Sequence, residues 1–297
     1  MIRVGFIGLG LMGKPMAKRL LAAQQQLVVF NRSRGPAEEL AELGAIICEN
    51  PKDLAESSDI VITMLPDSSD VKKVILGKDG VSSGVRKGGI VIDCSTISPL
   101  VEKEIAQQLS TLGVEMLDAP VSGGTIGAET GSLTFMVGGS RDVFEKCLPI
   151  LKAMGKNVFY MGGSGMGSFT KLCNQLSVAL TLLGTCEALL LASKAGLDPE
   201  KTIEVLATGA ASSWQLVNLG PKMLQRDFKP GFKLEHLKKD LRLITEACEE
   251  LNLPTFGSGL MHELLKATLN LGLGQNATPA LILTLEQLAD HEVKARK

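Results

Sequence analysis

The chain has no excess charge of either sign. Its 31 Lys plus Arg stand against 32 Asp plus Glu, leaving a formal net charge of -1 with no polybasic or polyacidic run. That balance excludes nucleic acid as the main partner. Its six cysteines (Cys48, Cys94, Cys147, Cys173, Cys186 and Cys248) form no CxxC pair and find no histidine at metal-ligand spacing. No metal site is supported, and reduced, mostly buried thiols of a cytosolic protein are expected. His236, His262 and His291 are each isolated in helical surroundings and read as surface or packing residues. The N-terminus lacks a signal-peptide pattern, because Arg3 interrupts the apolar run. An uninterrupted membrane span is missing too: the most apolar stretch, Ser177 to Ala192, contains Glu187 and follows Lys171, Asn174 and Gln175, so a soluble core helix is expected. Repeats and low-complexity tails are absent.

What the chain does have is length and rhythm. At 297 residues it exceeds the usual single compact core, which predicts two domains. Short β-branched runs alternate with amphipathic segments at Arg3–Ile7, Leu27–Phe30, Ile60–Met64, Ile90–Asp93, Val114–Ala119, Leu133–Val137 and Val158–Met161. The alternation predicts an α/β domain over residues 1–163 with a mostly parallel, doubly wound sheet. Past the link Gly162-Gly163-Ser164-Gly165-Met166-Gly167 only helical periodicity remains, broken near Gly196, Gly220, Pro230, Pro254 and Gly272. An all-helical second domain over residues 164–297 is expected. Its first helix, Ser168 to Ala195, spans roughly 40 Å at the standard rise and is expected to join the domains and wall the cleft between them.

The run Val4-Gly5-Phe6-Ile7-Gly8-Leu9-Gly10-Leu11-Met12-Gly13 places Gly8-x-Gly10-x-x-Gly13 between a strand and a helix, the context a dinucleotide fingerprint requires. Gly8 permits the turn, Gly10 lets the backbone approach a pyrophosphate, and Gly13 lets strand and helix pack closely; the helix N-terminus offers N–H groups to the anion. After the second strand, where NAD sites commonly carry an acidic residue, this chain has Asn31-Arg32-Ser33. Arg32 suits a 2′-phosphate, with Asn31 and Ser33 adding hydrogen bonds, so NADP is expected over NAD, with NAD still possible. The alternative is that Arg32 is an ordinary solvated arginine. Leu65-Pro66 and Thr96 follow the third and fourth predicted strands, on the edge where open α/β sheets bind ligands, and are expected to line the cofactor unless they are plain loops.

Asp118-Ala119-Pro120-Val121-Ser122-Gly123-Gly124 closes a strand with small residues whose N–H groups can converge on a carboxylate. The same residues also suit a plain β-turn. In Lys171-Leu172-Cys173-Asn174-Gln175, spacings of three and four put Lys171, Asn174 and Gln175 on one helix face. An ammonium there can stabilise the alkoxide formed when an aldehyde accepts hydride and can supply its proton. Either Asn174 or Gln175 would orient the substrate.

With these motifs in this order, and with Phe232 and Lys239-Asp240-Leu241 nearer the C-terminus, essentially the whole chain resembles the β-hydroxyacid dehydrogenase family. The resemblance implies that Ser122, Gly123 and Gly124 contact substrate, Lys171 is catalytic with Asn174 and Gln175 beside it, Phe232 walls the substrate pocket and Lys239 reaches the cofactor. It also implies a Rossmann domain with a helical partner domain, assembled as homodimers or homotetramers. Within the family, Asn174-Gln175 and Arg226-Asp227-Phe228-Lys229-Pro230-Gly231-Phe232 look most like tartronate semialdehyde reductases; 3-hydroxyisobutyrate dehydrogenases and glyoxylate/succinic semialdehyde reductases are the alternatives. Gln275-Asn276-Ala277-Thr278 departs from the reductase pattern of an aspartate followed by a small hydroxyl residue. A reading of another class is a non-catalytic dinucleotide-binding module.

Overall fold

A computed structural model describes residues 2–229 and 231–295; the expected break at Pro230 lies outside them. The chain divides into two compact units, Met1–Lys171 and Leu172–Lys297.

The first unit contains nine strands: β1 (Arg3–Ile7), β2 (Gln26–Phe30), β3 (Ile46–Ile47), β4 (Ile60–Thr63), β5 (Ile90–Asp93), β6 (Glu115–Asp118), β7 (Val121–Ser122), β8 (Leu133–Gly139) and β9 (Gly155–Gly162). Between them run α1 (Gly13–Ala22), α2 (Gly35–Ala41), α3 (Pro51–Glu56), α4 (Ser68–Leu76), α5 (Pro99–Thr111), α6 (Gly124–Thr130) and α7 (Arg141–Met154). One sheet holds them in the order β3-β2-β1-β4-β5-β6-β8-β7, with β9 on β8. From β3 to β6 every pairing is parallel, while β6 and β7 both meet β8 antiparallel. The strand order reverses between β1 and β4, which makes the carboxyl end of β1 a topological switch point, the place where such sheets bind ligands.

Alternate residues explain why the sheet is buried on both sides. Val4, Phe6, Ile60, Ile62 and Ile92 join one apolar cluster, and Ile7, Val61 and Val91 the other. Parallel strands of this kind are therefore nearly continuous in apolar residues. The two strands absent from the periodicity reading, β3 and β7, have two residues each, too few to show a period. Pro120 separates β6 from β7, because proline offers no N–H to the ladder; its carbonyl still accepts Met136 N–H at 3.0 Å.

α8 (Met166–Lys194) begins in the first unit and continues into the second. It is the one helix among the described residues long and apolar enough, by length and composition, to cross a membrane. Ala179, Leu182, Leu183, Cys186 and Leu189 along it are buried. The rest of the second unit is helical: α9 (Pro199–Ala207), α10 (Trp214–Leu224), α11 (Leu234–Glu250), α12 (Phe256–Asn270) and α13 (Leu281–Ala289). Gly220 does not break a helix as expected. It lies inside α10 beside Pro221, and a Cβ there would come within 3.0 Å of Ile203, so it permits close packing against α9. The thiols also differ from expectation: Cys94, Cys147 and Cys186 are buried, Cys48 and Cys248 are half-buried, and Cys173 is exposed on α8.

Candidate active site

The fingerprint glycines sit at the switch point. Gly8 has φ +94° and a Cβ on it would strike the Met64 carbonyl oxygen at 2.3 Å; one on Gly13 would strike that of Gly8 at 1.8 Å. No other residue fits either place. Gly10, by contrast, is exposed and faces open space. Leu9 is buried, Leu11 is exposed and Met12 is half-buried. The N-terminus of α1 has no side-chain cap and no acidic residue in its first turn, so its positive pole is left for an anion. These features fit the pyrophosphate of a dinucleotide.

At the end of β2, the Asn31 side-chain oxygen accepts Leu9 N–H at 2.9 Å while its amide donates to the Ser33 carbonyl and hydroxyl oxygens, both at 2.9 Å. Asn31 thus shapes the turn, and the exposed Arg32 makes no hydrogen bond or ion pair among the described residues. After β4, Leu65 N–H donates to Ser95 Oγ at 2.8 Å, joining the Leu65-Pro66 loop to the loop that carries half-buried Thr96.

Beneath those loops lies a cluster of buried carboxyl groups that the motifs did not reveal. Asp93 Oδ1 accepts Thr63 Oγ1 at 2.5 Å and Ser95 Oγ at 2.7 Å. Asp93 Oδ2 and Glu102 Oε2 are both buried and receive no N–H or O–H from other groups. Their mutual influence favours the charged form of Asp93 and the neutral form of Glu102, while burial raises both carboxyls. Burial, then the charges of Asp93 and Asp118, push the Glu102 carboxyl well above its usual range. Ser168 Oγ donates to Glu102 Oε1 at 3.5 Å.

Asp118, at the end of β6, accepts Gly165 N–H and Ser168 N–H, each at 2.8 Å. Burial lifts its carboxyl to about 6, and the backbone bonds from Ser168 and Gly165 oppose that rise. Four residues on, Ser122 closes β7 in register with Thr134, and Gly123 and Gly124 turn the chain directly into α6 with φ +131° and +61°. The expected turn of small residues is therefore a strand end followed by a helix start. Lys171, three residues after Ser168 on α8, is buried with 8% of its surface exposed.

In the second unit, half-buried Asn174 donates to Gln175 Oε1 at 2.8 Å, and Gln175 donates to Asp240 Oδ2 in a very short contact. Lys239 Nζ lies 3.1 Å from Asp240 Oδ1. Buried Asp240 is thus the hub that links the amide pair to Lys239. It stands in the Lys239-Asp240-Leu241 run, but nothing local marks it as more than a helix carboxylate. Phe232 is 38% exposed, and its ring centre is 6.2 Å from that of His236. Gln275 accepts from Lys233 Nζ at 2.6 Å and donates to Glu235 at 2.5 Å, so one amide serves both charges. Among the described residues no cluster of His, Cys, Asp and Glu could hold a metal ion.

Residues 3–162 match the family model described as the NAD binding domain of 6-phosphogluconate dehydrogenase, and residues 165–285 match that described as NAD-binding of NADP-dependent 3-hydroxyisobutyrate dehydrogenase. The 2-hydroxy-3-oxopropionate reductase of Escherichia coli is 42% identical over 98% of this chain and 100% of its own length. The chain belongs to the β-hydroxyacid dehydrogenase family. Mouse mitochondrial 3-hydroxyisobutyrate dehydrogenase is 37% identical to this dehydrogenase over 88% of this chain and 80% of its own. The solved structure of Mycobacterium tuberculosis 3-hydroxyisobutyrate dehydrogenase with L-serine superposes with TM-score 0.88 at 29% identity, covering 96% of this chain and 99% of that one. This dehydrogenase is accordingly an oxidoreductase that uses a nicotinamide dinucleotide, built as a Rossmann-like sheet domain followed by a helical region.

Proposed function

We propose that this dehydrogenase interconverts a short 3-hydroxy acid and its aldehydo acid with NADP(H), and that its substrate is of the 2-hydroxy-3-oxopropionate (tartronate semialdehyde) type. The observation that carries the chemistry is Lys171, a lysine buried near the start of α8, downstream of a glycine-rich nucleotide turn. Taking the ammonium out of bulk water strengthens its attraction for a developing alkoxide. The bound dinucleotide supplies the hydride. The ammonium of Lys171 donates its proton to the carbonyl oxygen as that oxygen gains charge, leaving a hydroxyl and a neutral amine that solvent reprotonates. Ser122, Gly123 and Gly124 receive the substrate carboxylate, Asn174 or Gln175 orients its hydroxyl, and Phe232 walls the pocket. Lys239, steadied by Asp240, reaches the cofactor.

NADP is favoured because Arg32, exposed at the end of β2, has no carboxylate partner among the described residues and so is available to a 2′-phosphate. The substrate reading draws on the 42% identity, over essentially full length, to a reductase named for 2-hydroxy-3-oxopropionate. A homodimer or homotetramer is the expected assembly. Oxidation of NADPH and NADH is to be followed with tartronate semialdehyde, methylmalonate semialdehyde, succinic semialdehyde and glyoxylate, for wild type and Lys171→Ala. The reading expects preferred turnover of tartronate semialdehyde with NADPH, lost in the variant by a factor on the order of 10²–10⁴. A variant that keeps full turnover removes Lys171 from the mechanism, and preference for another aldehyde replaces the substrate.

A further inference from the structure

We propose that Asp118 is a positioning residue for Lys171: its carboxylate grips the N-terminus of α8 and offsets that helix pole, keeping the lysine one turn further on both placed and protonated. The inference rests on the reading of Lys171 as the proton donor.

The geometry is specific. The Asp118 carboxylate takes the N–H groups of Gly165 and Ser168, which frame the start of α8 at Met166. It is packed so closely that neither neighbouring glycine tolerates a side chain: a Cβ on Gly138 would lie 2.5 Å from Asp118 Oδ1, and one on Gly167 would lie 2.9 Å from Oδ2. Lys171 follows Ser168 by three residues, on the same helix face. Lys171 stands in the second turn of α8, near the end of the helix where N–H groups without intrahelical partners create positive potential and disfavour a cation. An anion on those N–H groups cancels that potential.

The other charged and titratable groups around Asp118 do not supply the same anion. Glu102, on α5, is buried, and burial followed by the charges of Asp93 and Asp118 pushes its carboxyl well above the usual range, towards the neutral form. Asp93, on β5, is the register partner of Asp118, but its carboxylate is engaged by the hydroxyls of Thr63 and Ser95. Lys103, also on α5, lies over the Phe169 ring, 5.3 Å from its centre, and adds positive charge beside the helix start. From β8 the contact is Gly138, which carries no charge. Asp118 is thus the carboxylate bonded directly to the N–H groups of α8.

The test is the pH profile of aldehyde reduction with NADPH, whose alkaline limb reports loss of the Lys171 proton. Asp118→Asn removes the charge at nearly constant volume and is expected to move that limb about one half to one pH unit lower, with a larger loss in kcat than in KM for NADPH. Asp118→Ser, smaller and also uncharged, is measured alongside so that poor folding of one variant does not decide the outcome. Glu102→Gln, which exchanges one neutral group for another, is expected to keep the wild-type limb. A limb unmoved in both Asp118 variants, with activity reduced evenly across pH, overturns the proposal in favour of a purely structural cap. So does a limb that moves equally in Glu102→Gln. Lys171→Ala separates the two readings: full turnover in it overturns the role of the lysine itself, whereas an inactive Lys171→Ala beside an unmoved limb overturns only the role of Asp118.

Discussion

Asn31 and Leu9 are latched together: the side-chain oxygen of one accepts the backbone N–H of the other at 2.9 Å, across 22 residues of sequence. The end of β2 and the glycine turn after β1 are therefore tied directly to each other. The Asn31 amide donates to Ser33, whereas the neighbouring Arg32 makes no hydrogen bond or ion pair among the described residues.

These two neighbours should separate by mutation. Asn31→Ala loosens the turn and is expected to raise KM for NADPH and NADH by similar factors. With Arg32 proposed to hold the 2′-phosphate, Arg32→Asp should raise KM for NADPH by roughly 10-fold or more through lost attraction and added repulsion, while changing that for NADH little. Steady-state kinetics with both cofactors checks the pair; an unchanged KM for NADPH in Arg32→Asp takes Arg32 out of cofactor recognition.

The carboxyl cluster should tie stability to pH with a definite sign. Glu102 and Asp118 both have folded-state values raised above their ordinary ones, Asp118 to about 6. Their contribution is complete below the unfolded values of 4.5 for Glu and 3.8 for Asp. It is lost as pH rises through the folded ones. Thermal melts should therefore show Glu102→Gln gaining stability relative to wild type as pH rises above about 5, since its amide can donate to Asp93 and accept from Ser168 without holding a proton.

Replacing Asp240 should affect Gln175 and Lys239 together. Asp240→Ala removes the acceptor of the Gln175 amide and one partner of the Lys239 ammonium, at a cost of about 1–3 kcal/mol for the amide left buried. Chemical denaturation should show that loss, and KM for the dinucleotide should rise severalfold. Stability loss with unaltered KM would confine Asp240 to folding.

Arg226 is the test of what closes the second unit. Its Nη1 reaches both oxygens of Glu286, at 2.6 and 2.9 Å, and Glu286 Oε1 also accepts Val293 N–H at 2.9 Å. The Glu286 side chain is only 7% exposed. Arg226→Met strands that carboxylate and is expected to cost about 2–4 kcal/mol, below the fully buried case because the arginine is partly solvated. Arg226→Met should thus lower the urea midpoint more than Glu286→Gln, which leaves no buried charge.

Local signals carried most of the fold. Seven strands were legible because apolar runs punctuated by turn residues report burial directly. The nucleotide turn was legible because Gly8, Gly10 and Gly13 are needed for reasons of backbone space within six residues, and Lys171 stood out as a lysine beside other polar groups on an otherwise apolar helix. What remained hidden was built from contacts between residues far apart in sequence: Asp118 with Gly165 and Ser168, Asp93 with Thr63 and Glu102, Gln175 with Asp240. A lone aspartate at a strand end looks the same whether it faces water or caps a helix 47 residues later. The two-part architecture, the cofactor class and the candidate lysine can be read without the fold, because each depends on short-range patterning. Which carboxylates are buried, which accept hydroxyl donors and which take the N–H groups of a helix start depends on the folded chain, because desolvation and hydrogen-bond partners come from residues that meet only there.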